Sequence, residues 1–338
     1  MSRSPLVSVA IVTHESAADL PACFAAIDAL EHRPLELVVV DCASRDESVA
    51  VARRHAPVNL PTTVEPLGEN RGFAGGMNAA LALATGEWVL TLNADAQPRP
   101  DFLAHLLDAA RVDRGASGPS APVGGVTGRL VRPARGSEPR RLDACGMRLV
   151  PTWRHLDRGS GELDRGQLAT PARVFGATGA ASLWRRAALE DVAVDGEIFD
   201  PRFHSYREDA ELCFRLRERG WEVVYEPRAV AEHRRHNLPA RRAAMATAIN
   251  RHSLKNRYLL RLYHQTTLNL VTTALPALLR DALALGYVLV RERESLDAYA
   301  WLWRNRSDLW RRRKAIQARR TVGALALERW FWRSALPW

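Results

Sequence analysis

Short apolar runs alternate along the first 110 residues with longer segments whose apolar positions recur at helical spacing. Runs of this length are typical of buried strands, whereas spacings of three and four residues indicate amphipathic helices. The pattern predicts strands at residues 6–12, 35–40, 62–65 and 87–90. The helices between them are predicted at residues 17–30, in a segment that ends at about residue 54, and at residues 77–84. This alternation predicts an α/β fold with a mostly parallel mixed sheet flanked by helices.

The pattern is less regular between residues 111 and 233, and glycine, proline, arginine and serine are frequent up to about residue 166. Strands are predicted at residues 123–131, 147–150, 174–184, 221–225 and 229–233, and a helix at 208–219 that Gly220 would end. Residues 154–166 are predicted to form a long mobile loop. Loops of this length are usually functional or disordered, so we expect a flap that faces an acceptor.

The size and composition of the chain are those of a folded globular protein. Its 338 residues are 47% hydrophobic and 25% charged, enough for one large or two small domains. The four cysteines are far apart, which argues against a zinc ribbon or a disulfide framework and suits a reducing cytosol. The polar residues 1–5 and the strand-length run after them do not predict a secretory signal peptide.

The net charge of +10 is concentrated at the carboxyl end. Residues 291–338 carry twelve Lys and Arg against five Asp and Glu, a net charge of +7, and six of the ten tryptophans. Pro276 and Arg280-Asp281 interrupt the apolar residues 268–290, leaving pieces too short for a spanning helix of about 20 residues. We predict that residues 261–338 form amphipathic helices, which either lie in an anionic membrane surface or form a soluble dimerising domain.

Polar residues suited to a nucleotide follow the predicted strands. Asp41 and Asp95 end strands at the edge where open α/β sheets place their ligands. Asp41 would offer an acceptor to a pyrimidine N3–H or a ribose hydroxyl, and Asp95 is a natural ligand for a hard cation that holds a diphosphate. The glycine-rich residues 68–76 would let backbone approach a ligand, and Asn78 adds an amide. A turn, a helix cap or a plain loop explains each residue equally well.

Three acids, Glu208, Asp209 and Glu211, lie within four positions at the start of a predicted helix. A favourable interaction with the helix dipole is one explanation of them. The other is that one of them, close to a bound cation, accepts a proton from an incoming hydroxyl. His233 ends a predicted strand, and although a lone histidine is more often structural, the nearby His236 favours a metal-ligand role.

Over roughly residues 5–260, the order of these motifs resembles that of the family 2 glycosyltransferases with the GT-A fold, in particular the bacterial rhamnosyltransferase-like members. Residues 7–13 resemble the opening strand, residues 40–44 the base-binding strand, and residues 70–78 the glycine-rich segment. Asn93-Ala94-Asp95 stands for the family's Asp-x-Asp metal motif. Glu208-Asp209 resembles its acidic catalytic motif, with Arg207 where a glycine is customary, and His233 resembles its metal-binding histidine.

The resemblance implies a GT-A domain over residues 1–260, with a nucleotide-binding half at 1–110 and an acceptor and catalytic half at 111–260. It implies inverting transfer in one displacement, with Asp209 as the base, Glu208 as its rival, and Mg²⁺ or Mn²⁺ held by Asp95 and His233. The expected donor is dTDP-rhamnose rather than a UDP-linked sugar. The expected acceptor is a glycan or lipid-linked glycan of cell-envelope polysaccharide synthesis.

The resemblance also implies which residues contact the two substrates. Small residues around Gly179, with Trp184 after them, would bind the acceptor, although tight strand packing explains them equally well. We expect a cytoplasmic protein that is peripherally associated with the inner face of the plasma membrane. The alternative role for its helical tail is the formation of a homodimer. The donor-binding residues are expected to be Thr13, Glu15, Asp41, Asn70, Gly72, Gly75, Asn78, Asn93 and Asp95.

Two rival functions belong to other classes of protein. A nucleic-acid-binding protein would explain the basic, aromatic tail by phosphate contacts and base stacking. Asp41, Asp95 and the acids at 208–211 would repel phosphate, so we expect no nucleic-acid partner. A non-catalytic module that binds a nucleotide sugar would keep the sheet without requiring Asp209.

Overall fold

The computed structural model describes residues 4–111, 121–134, 136, 138–235 and 247–337. Eleven of its strands form one sheet, and the other two, β8 and β9, form a separate hairpin. The strands are β1 Val7–Thr13, β2 Leu35–Asp41, β3 Thr62–Pro66, β4 Trp88–Leu92, β5 Ala96–Pro98, β6 Val123–Val131, β7 Leu142–Ala144, β8 Met147–Val150, β9 Arg154–Asp157, β10 Ala172–Arg173, β11 Ala181–Arg185, β12 Glu222–His233 and β13 Leu336–Pro337.

The described residues also form α-helices along the whole chain, with two short 3-10 helices at Pro201–Phe203 and Arg293–Leu296. The α-helices are α1 Leu20–Asp28, α2 Ser48–His55, α3 Gly72–Leu83, α4 Phe102–Arg111, α5 Arg186–Val192, α6 Glu208–Glu218, α7 Thr247–His264, α8 Thr267–Thr272, α9 Ala274–Arg291, α10 Asp297–Arg304, α11 Arg306–Ala318 and α12 Ala324–Trp332.

The long strands of the sheet run mostly in one direction, which confirms the predicted mixed and mostly parallel architecture. The sheet order is β13-β10-β12-β6-β11-β4-β1-β2-β3, with β5 beside β12 and β7 beside β6. β1 is parallel to β2 and β4, β2 to β3, and β12 to β6, while β11 is antiparallel to both β4 and β6. The carboxyl ends of β1, β2, β4 and β12 therefore meet at one edge of the sheet.

Helices cover both faces of this sheet, as the alternation of side chains along each strand requires. On β1, Val7, Val9 and Ile11 pack into a core with α1, α2 and α4. Ala10, on the opposite face of the same strand, packs into a second core with α3, α5 and α6. All four cysteines are buried and unpaired, as their spacing predicts.

Several element boundaries differ from the sequence prediction. α3 begins at Gly72 rather than residue 77, so the glycine-rich segment forms its first turns. Gly76 lets this helix approach β1, because a Cβ there would lie 2.7 Å from a methyl carbon of Val12. Residues 96–98 form β5, which adds to β12 despite Pro98, since an edge strand tolerates a missing donor.

The second half of the domain is more ordered than the sequence predicts. Residues 154–157 form β9 and pair with β8, so the expectation of one long mobile loop over residues 154–166 is wrong. Of the strand predicted at residues 174–184, only the part from Ala181 onward is a strand in the structure, where it forms β11. The two strands predicted at residues 221–233 are one strand, β12, with an irregularity between Tyr225 and Val230.

The carboxyl-terminal region is helical, as predicted, and α7 runs through the predicted boundary at residue 260. α10 and α11 pack against α7, and α12 packs against β8. Among the described residues, no helix combines the length and the apolar character needed to cross a membrane.

Candidate active site

A cleft of about 800 Å³ opens at the carboxyl edge of the sheet. Its walls come from the ends of β1, β4 and β12, from the β9 strand, and from the two segments that precede β11 and α6. Asp95 and Asp209, more than 100 positions apart in the sequence, both line it. The residue predicted to bind the donor through a cation and the residue predicted to act as the base thus line one cavity.

At one end of the cleft, Thr13, which ends β1, and Glu15, which follows it, line the wall. Asp41 lies beneath Thr13, is only 2% exposed and is not among the lining residues. Its carboxylate accepts hydrogen bonds from Thr13 Oγ1 at 2.8 Å and from Ser44 N at 2.9 Å. The structure therefore places Asp41 behind the wall, where it orients Thr13, rather than in the predicted direct contact with a nucleotide.

The glycine-rich segment contributes Asn70 and Gly72 to the wall. Gly72 has φ +65°, and a Cβ at this position would lie 2.1 Å from the His204 ring, so a larger residue would displace the loop before α6. Gly75 lies in α3 and does not line the cleft. Asn78 is also outside it, because its amide exchanges hydrogen bonds of 2.7 and 2.8 Å with the backbone of Phe199. The expected donor contacts of Gly75 and Asn78 are therefore wrong for this conformation.

Asp95 and His233 face each other across the cleft floor, with His233 Nε2 3.2 Å from Asp95 Oδ1. His233 Nδ1 lies 2.7 Å from a carboxylate oxygen of the buried Asp143. Burial opposes the charge on this ring, but the two carboxylates outweigh it and raise the pKa of His233 to about 9. Asn93 Nδ2 lies 3.5 Å from the same Nε2 atom. His236 lies outside the described residues.

The other side of the cleft is formed by the start of α6. Asp209 accepts hydrogen bonds from the N–H groups of Gly179 at 3.2 Å and Ala210 at 2.8 Å. Burial raises the pKa of Asp209 to about 6, and the nearby charge of Asp157 contributes to this shift. The two hydrogen bonds oppose the shift but are outweighed. For Glu208, burial and then the charge of Asp209 raise the pKa well above its ordinary value.

Glu211 has a structural role. It is fully buried, and Arg215 donates two hydrogen bonds to its carboxylate, at 2.8 and 2.7 Å. Although burial opposes ionisation, this guanidinium and His264 hold the pKa of Glu211 at about 2. The three acids of this turn are therefore in three different electrostatic environments.

The loop before α6 has an unusual backbone. His204, Tyr206 and Arg207 all have positive φ, at 62°, 71° and 73°, although none is glycine. Such conformations cost on the order of 1 kcal/mol or more each and persist only where neighbouring structure fixes them. The buried Asn256 on α7 does so, because its Nδ2 donates to the carbonyls of Phe203, Ser205 and Tyr206 at 2.7–3.0 Å.

The two residues predicted to bind an acceptor have different environments. Gly179 lines the cleft, and a Cβ there would lie 3.0 Å from the Phe73 ring, so its small size leaves room beside Asp209. Trp184 is fully buried in the sheet, where its Nε1 donates to Thr91 Oγ1 at 3.1 Å. The prediction that Trp184 contacts an acceptor is wrong, because its side chain is fully buried and does not line the cleft.

Residues that sequence reasoning missed complete the site. Asp143 orients His233, and Arg235 joins Asp143 to Asp157 with contacts of 3.2 and 2.6 Å. Asp143 and Asp157 lie in a stretch without regular periodicity, so no sequence signal marked them. Asn256 lies in an ordinary helical pattern, and only the structure shows the loop that it fixes.

The fold is that of the GT-A glycosyltransferases. A mannosyltransferase from Pyrobaculum calidifontis, solved with GDP-Man and Mn²⁺, superposes with a TM-score of 0.53 at 19% identity over 97% of this chain and 79% of that one. S. aureus TarS superposes with a TM-score of 0.52 at 16% identity over 87% of this chain and 77% of that one. At these identities the likeness concerns the fold alone.

Residues 8–193, more than half of the chain, match the sequence profile of glycosyl transferase family 2, and the protein belongs to that family. Over 253 residues it is 27% identical to the N-acetylglucosaminyl-diphospho-decaprenol L-rhamnosyltransferase of Mycobacterium tuberculosis, a match that covers 69% of this chain and 77% of the relative. It is also 37% identical over 92 residues to a PGL/p-HBAD biosynthesis glycosyltransferase of Mycobacterium bovis, covering 27% of this chain and 36% of the relative. The protein is thus a glycosyltransferase similar to the bacterial rhamnosyltransferases.

Proposed function

We propose that the protein is an inverting, metal-dependent glycosyltransferase that moves a sugar from a nucleotide-sugar donor to a glycan or lipid-linked glycan of the cell envelope. The observation that carries this proposal is that Asp95 and Asp209 line the same cleft. In this proposal the carboxylate of Asp95 would bind the diphosphate through a cation, and that of Asp209 would receive the proton of an acceptor hydroxyl. A single displacement needs both groups around one anomeric carbon.

The residues at the cleft floor fit a divalent cation such as Mg²⁺ or Mn²⁺. Asp95 and the Nε2 atom of His233 would be its protein ligands, and the carboxylate of Asp143 on Nδ1 is the usual partner of a metal-binding histidine. In the described part of the chain, no group of three His, Cys, Asp or Glu side chains suits a metal. Two protein ligands leave positions for diphosphate oxygens and water, as Mg²⁺ prefers. A cation bound there would neutralise charge on the leaving diphosphate.

Asp209 would be the general base. The N–H groups of Gly179 and Ala210 hold its carboxylate at the cleft wall, and its pKa of about 6 leaves it ionised at neutral pH. It would take the proton of the acceptor hydroxyl while the new bond to the anomeric carbon forms and the bond to the diphosphate oxygen breaks. Glu208 is the weaker candidate, because burial and the charge of Asp209 raise its pKa and disfavour its ionised form.

Our preferred donor is dTDP-rhamnose, because a relative whose sequence match covers 69% of this chain is an L-rhamnosyltransferase. The alternative is a UDP-linked sugar on the same fold. The name of that relative also supports an acceptor in which a sugar is joined through a diphosphate to a polyprenol.

We also propose that the protein works in the cytoplasm at the inner face of the plasma membrane. α9 exposes an apolar face on which Leu275, Leu279, Leu283 and Val290 are 60–78% exposed. An apolar surface of this kind beside basic residues suits the headgroup layer of an anionic membrane. Leu279→Glu/Leu283→Glu should abolish co-sedimentation with phosphatidylglycerol vesicles. If the variant instead turns a dimer into a monomer without affecting vesicle binding, this face is an interface between two copies.

Asp209→Asn tests the proposed chemistry directly. Transfer should fall by about 10²–10⁴-fold, the usual contribution of a positioned base, while the dissociation constant of the donor stays within a factor of two or three. Glu208→Gln is the matched control, because it removes the rival carboxylate from the same turn. Equal loss of donor affinity in Asp209→Asn would make Asp209 a binding residue, and a larger loss of rate in Glu208→Gln would exchange the two roles. Screening dTDP- and UDP-sugars by thermal shift with Mn²⁺ identifies the donor.

A further inference from the structure

A second cavity, of about 700 Å³, opens from the cleft beside Asp209 and is called the arginine groove below. His155, Asp157 and Arg207 line both cavities, so the groove adjoins the cleft. Asp95 does not line the groove. The groove therefore leads from the catalytic wall away from the proposed diphosphate end of the donor, along β9, α7 and α9.

The groove has a large excess of positive charge. Its acidic lining residues are Asp157, which binds Arg235 at 2.6 Å, and Glu162, which accepts a hydrogen bond from Gln167. The arginines that line it are Arg148, Arg154, Arg158, Arg207, Arg235 and Arg280. A concave surface lined by charges of one sign concentrates ligands of the opposite sign.

Four of these arginines form no ion pair within the described residues, namely Arg148, Arg154, Arg158 and Arg280. Arg158 donates instead to the carbonyl of Cys145 at 2.8 Å, and the Nε atom of Arg280 is buried without a hydrogen-bond partner. Burial and then the charges of Arg280 and Arg257 lower the pKa of Arg154, which shows that cations surround it. A buried donor without a partner is costly, and the guanidinium of Arg280 therefore has hydrogen-bonding capacity that the described protein leaves unused.

The groove also borders the exposed apolar face of α9. The two charged side chains between residues 274 and 290 both turn toward the protein: Arg280 lines the groove, and Asp281 binds Arg257 and Arg261 on α7. The solvent-facing side of the same helix, next to Arg280, carries exposed leucines, among them Leu279 and Leu283. Positive charge and apolar surface are thus adjacent on one helix, which suits an anionic group attached to a lipid.

We propose that the arginine groove binds the phosphate or diphosphate of a lipid-linked acceptor, with Arg154 and Arg280 as its principal contacts. Guanidinium groups bind phosphate oxygens in pairs, which gives orientation as well as affinity. With the phosphate held there and the lipid along α9, the sugar of the acceptor extends into the cleft toward Asp209. This inference rests on the proposed glycosyl transfer and adds the group by which the acceptor is selected.

The test compares two acceptors with the same sugar and the same farnesyl chain, one joined through a diphosphate and one as a neutral glycoside. For the full-length enzyme with saturating donor and Mn²⁺, the ratio of kcat/KM between the two should favour the diphosphate. In Arg154→Ala/Arg280→Ala this ratio should fall at least 30-fold, and Arg154→Lys/Arg280→Lys should recover part of it. Arg291→Ala, at the exposed end of the same helix and outside the groove, should keep the wild-type ratio. An unchanged ratio in the double alanine variant would overturn the proposal.

Direct binding separates this inference from the proposed transfer reaction. In EDTA, which removes any cation at Asp95, the wild type should bind farnesyl diphosphate at least tenfold more tightly than farnesol, and the double alanine variant should lose that preference. If the wild type turns over no nucleotide sugar but shows this preference, the proposed reaction fails while the groove stands. If the variant loses binding to phosphatidylglycerol vesicles but keeps its preference for farnesyl diphosphate, the arginines bind headgroups and the proposal is wrong.

Discussion

Asp209→Asn should make the protein more stable at pH 8 while it lowers the rate of transfer by about 10²–10⁴-fold. Burial is the main cause that raises the pKa of Asp209 from 3.8 to about 6, and each pKa unit corresponds to about 1.4 kcal/mol against the ionised form. The native state therefore carries an ionisation penalty of about 3 kcal/mol. Asn removes this penalty but loses one of the hydrogen bonds from Gly179 and Ala210, at a cost of about 1 kcal/mol. Because part of the side chain faces the cleft, we expect a net gain of about 1–2 kcal/mol.

The pH dependence of this gain has a definite sign. The folded state binds the proton of Asp209 more tightly than the unfolded state, so this group makes the wild type less stable as pH rises from about 4 to 6 and has a constant effect above that. Urea unfolding at pH 8 and pH 4.5 measures the difference between variant and wild type. The difference should be about 2 kcal/mol more favourable to the variant at pH 8.

Asp191→Asn is a control with the opposite sign. A hydrogen bond from Arg219 lowers the pKa of Asp191, so its charge stabilises the fold above pH 4 and the variant should be less stable at pH 8. If Asp209→Asn lowers the free energy of unfolding at pH 8, or if its effect is the same at both pH values, burial does not raise the pKa of Asp209 and the assignment of the base loses its electrostatic basis.

Three further predictions test the site. With Mn²⁺ and acceptor at fixed concentration, kcat/KM should fall tenfold per pH unit below about pH 6, because only ionised Asp209 accepts a proton; a flat profile between pH 5 and 7 would contradict this. Asp143→Asn should weaken activation by Mn²⁺ about 10–100-fold, measured by titrating the metal, whereas an unchanged activation constant would make Asp143 merely structural. Trp184→Phe should lower stability by about 1–2 kcal/mol through the lost bond to Thr91 and leave the acceptor KM unchanged, and a raised KM would return Trp184 to the acceptor site.

The sequence predicted the parts of the site that follow from sheet geometry. Apolar runs locate the strands, and parallel strands bring their carboxyl ends to one edge, where Asp95 and His233 both lie. That these two residues act together was implied by the family resemblance and not by their positions. The predicted boundaries of helices and strands were less accurate where glycine or proline suggested a loop. At Gly72–Gly76, close packing of α3 against β1 outweighs the low helix propensity of glycine.

The remaining parts depend on which way a side chain points. Asn78 and Trp184 lie close in sequence to lining residues, but their polar atoms turn toward Phe199 and Thr91 inside the protein. No local pattern distinguishes such a residue from one that faces a ligand. Asp143 is a comparable case, because its contact with His233 joins positions 90 residues apart.

The start of α6 shows why residue type alone could not assign the base. Glu208, Asp209 and Glu211 share one turn, the same helix dipole and nearly the same sequence context, so any preference among them has to come from tertiary contacts. Arg215 keeps Glu211 ionised in the core. Burial, with no hydrogen-bond partner for its Oε2, raises the pKa of Glu208 and disfavours its ionised form. Asp209 alone combines access to the cleft with two N–H donors and a pKa close to neutrality. The strained loop that Asn256 holds in place sets this orientation, and the glycine customary in the family at position 207 fits it, because Arg207 has the positive φ that glycine adopts without strain.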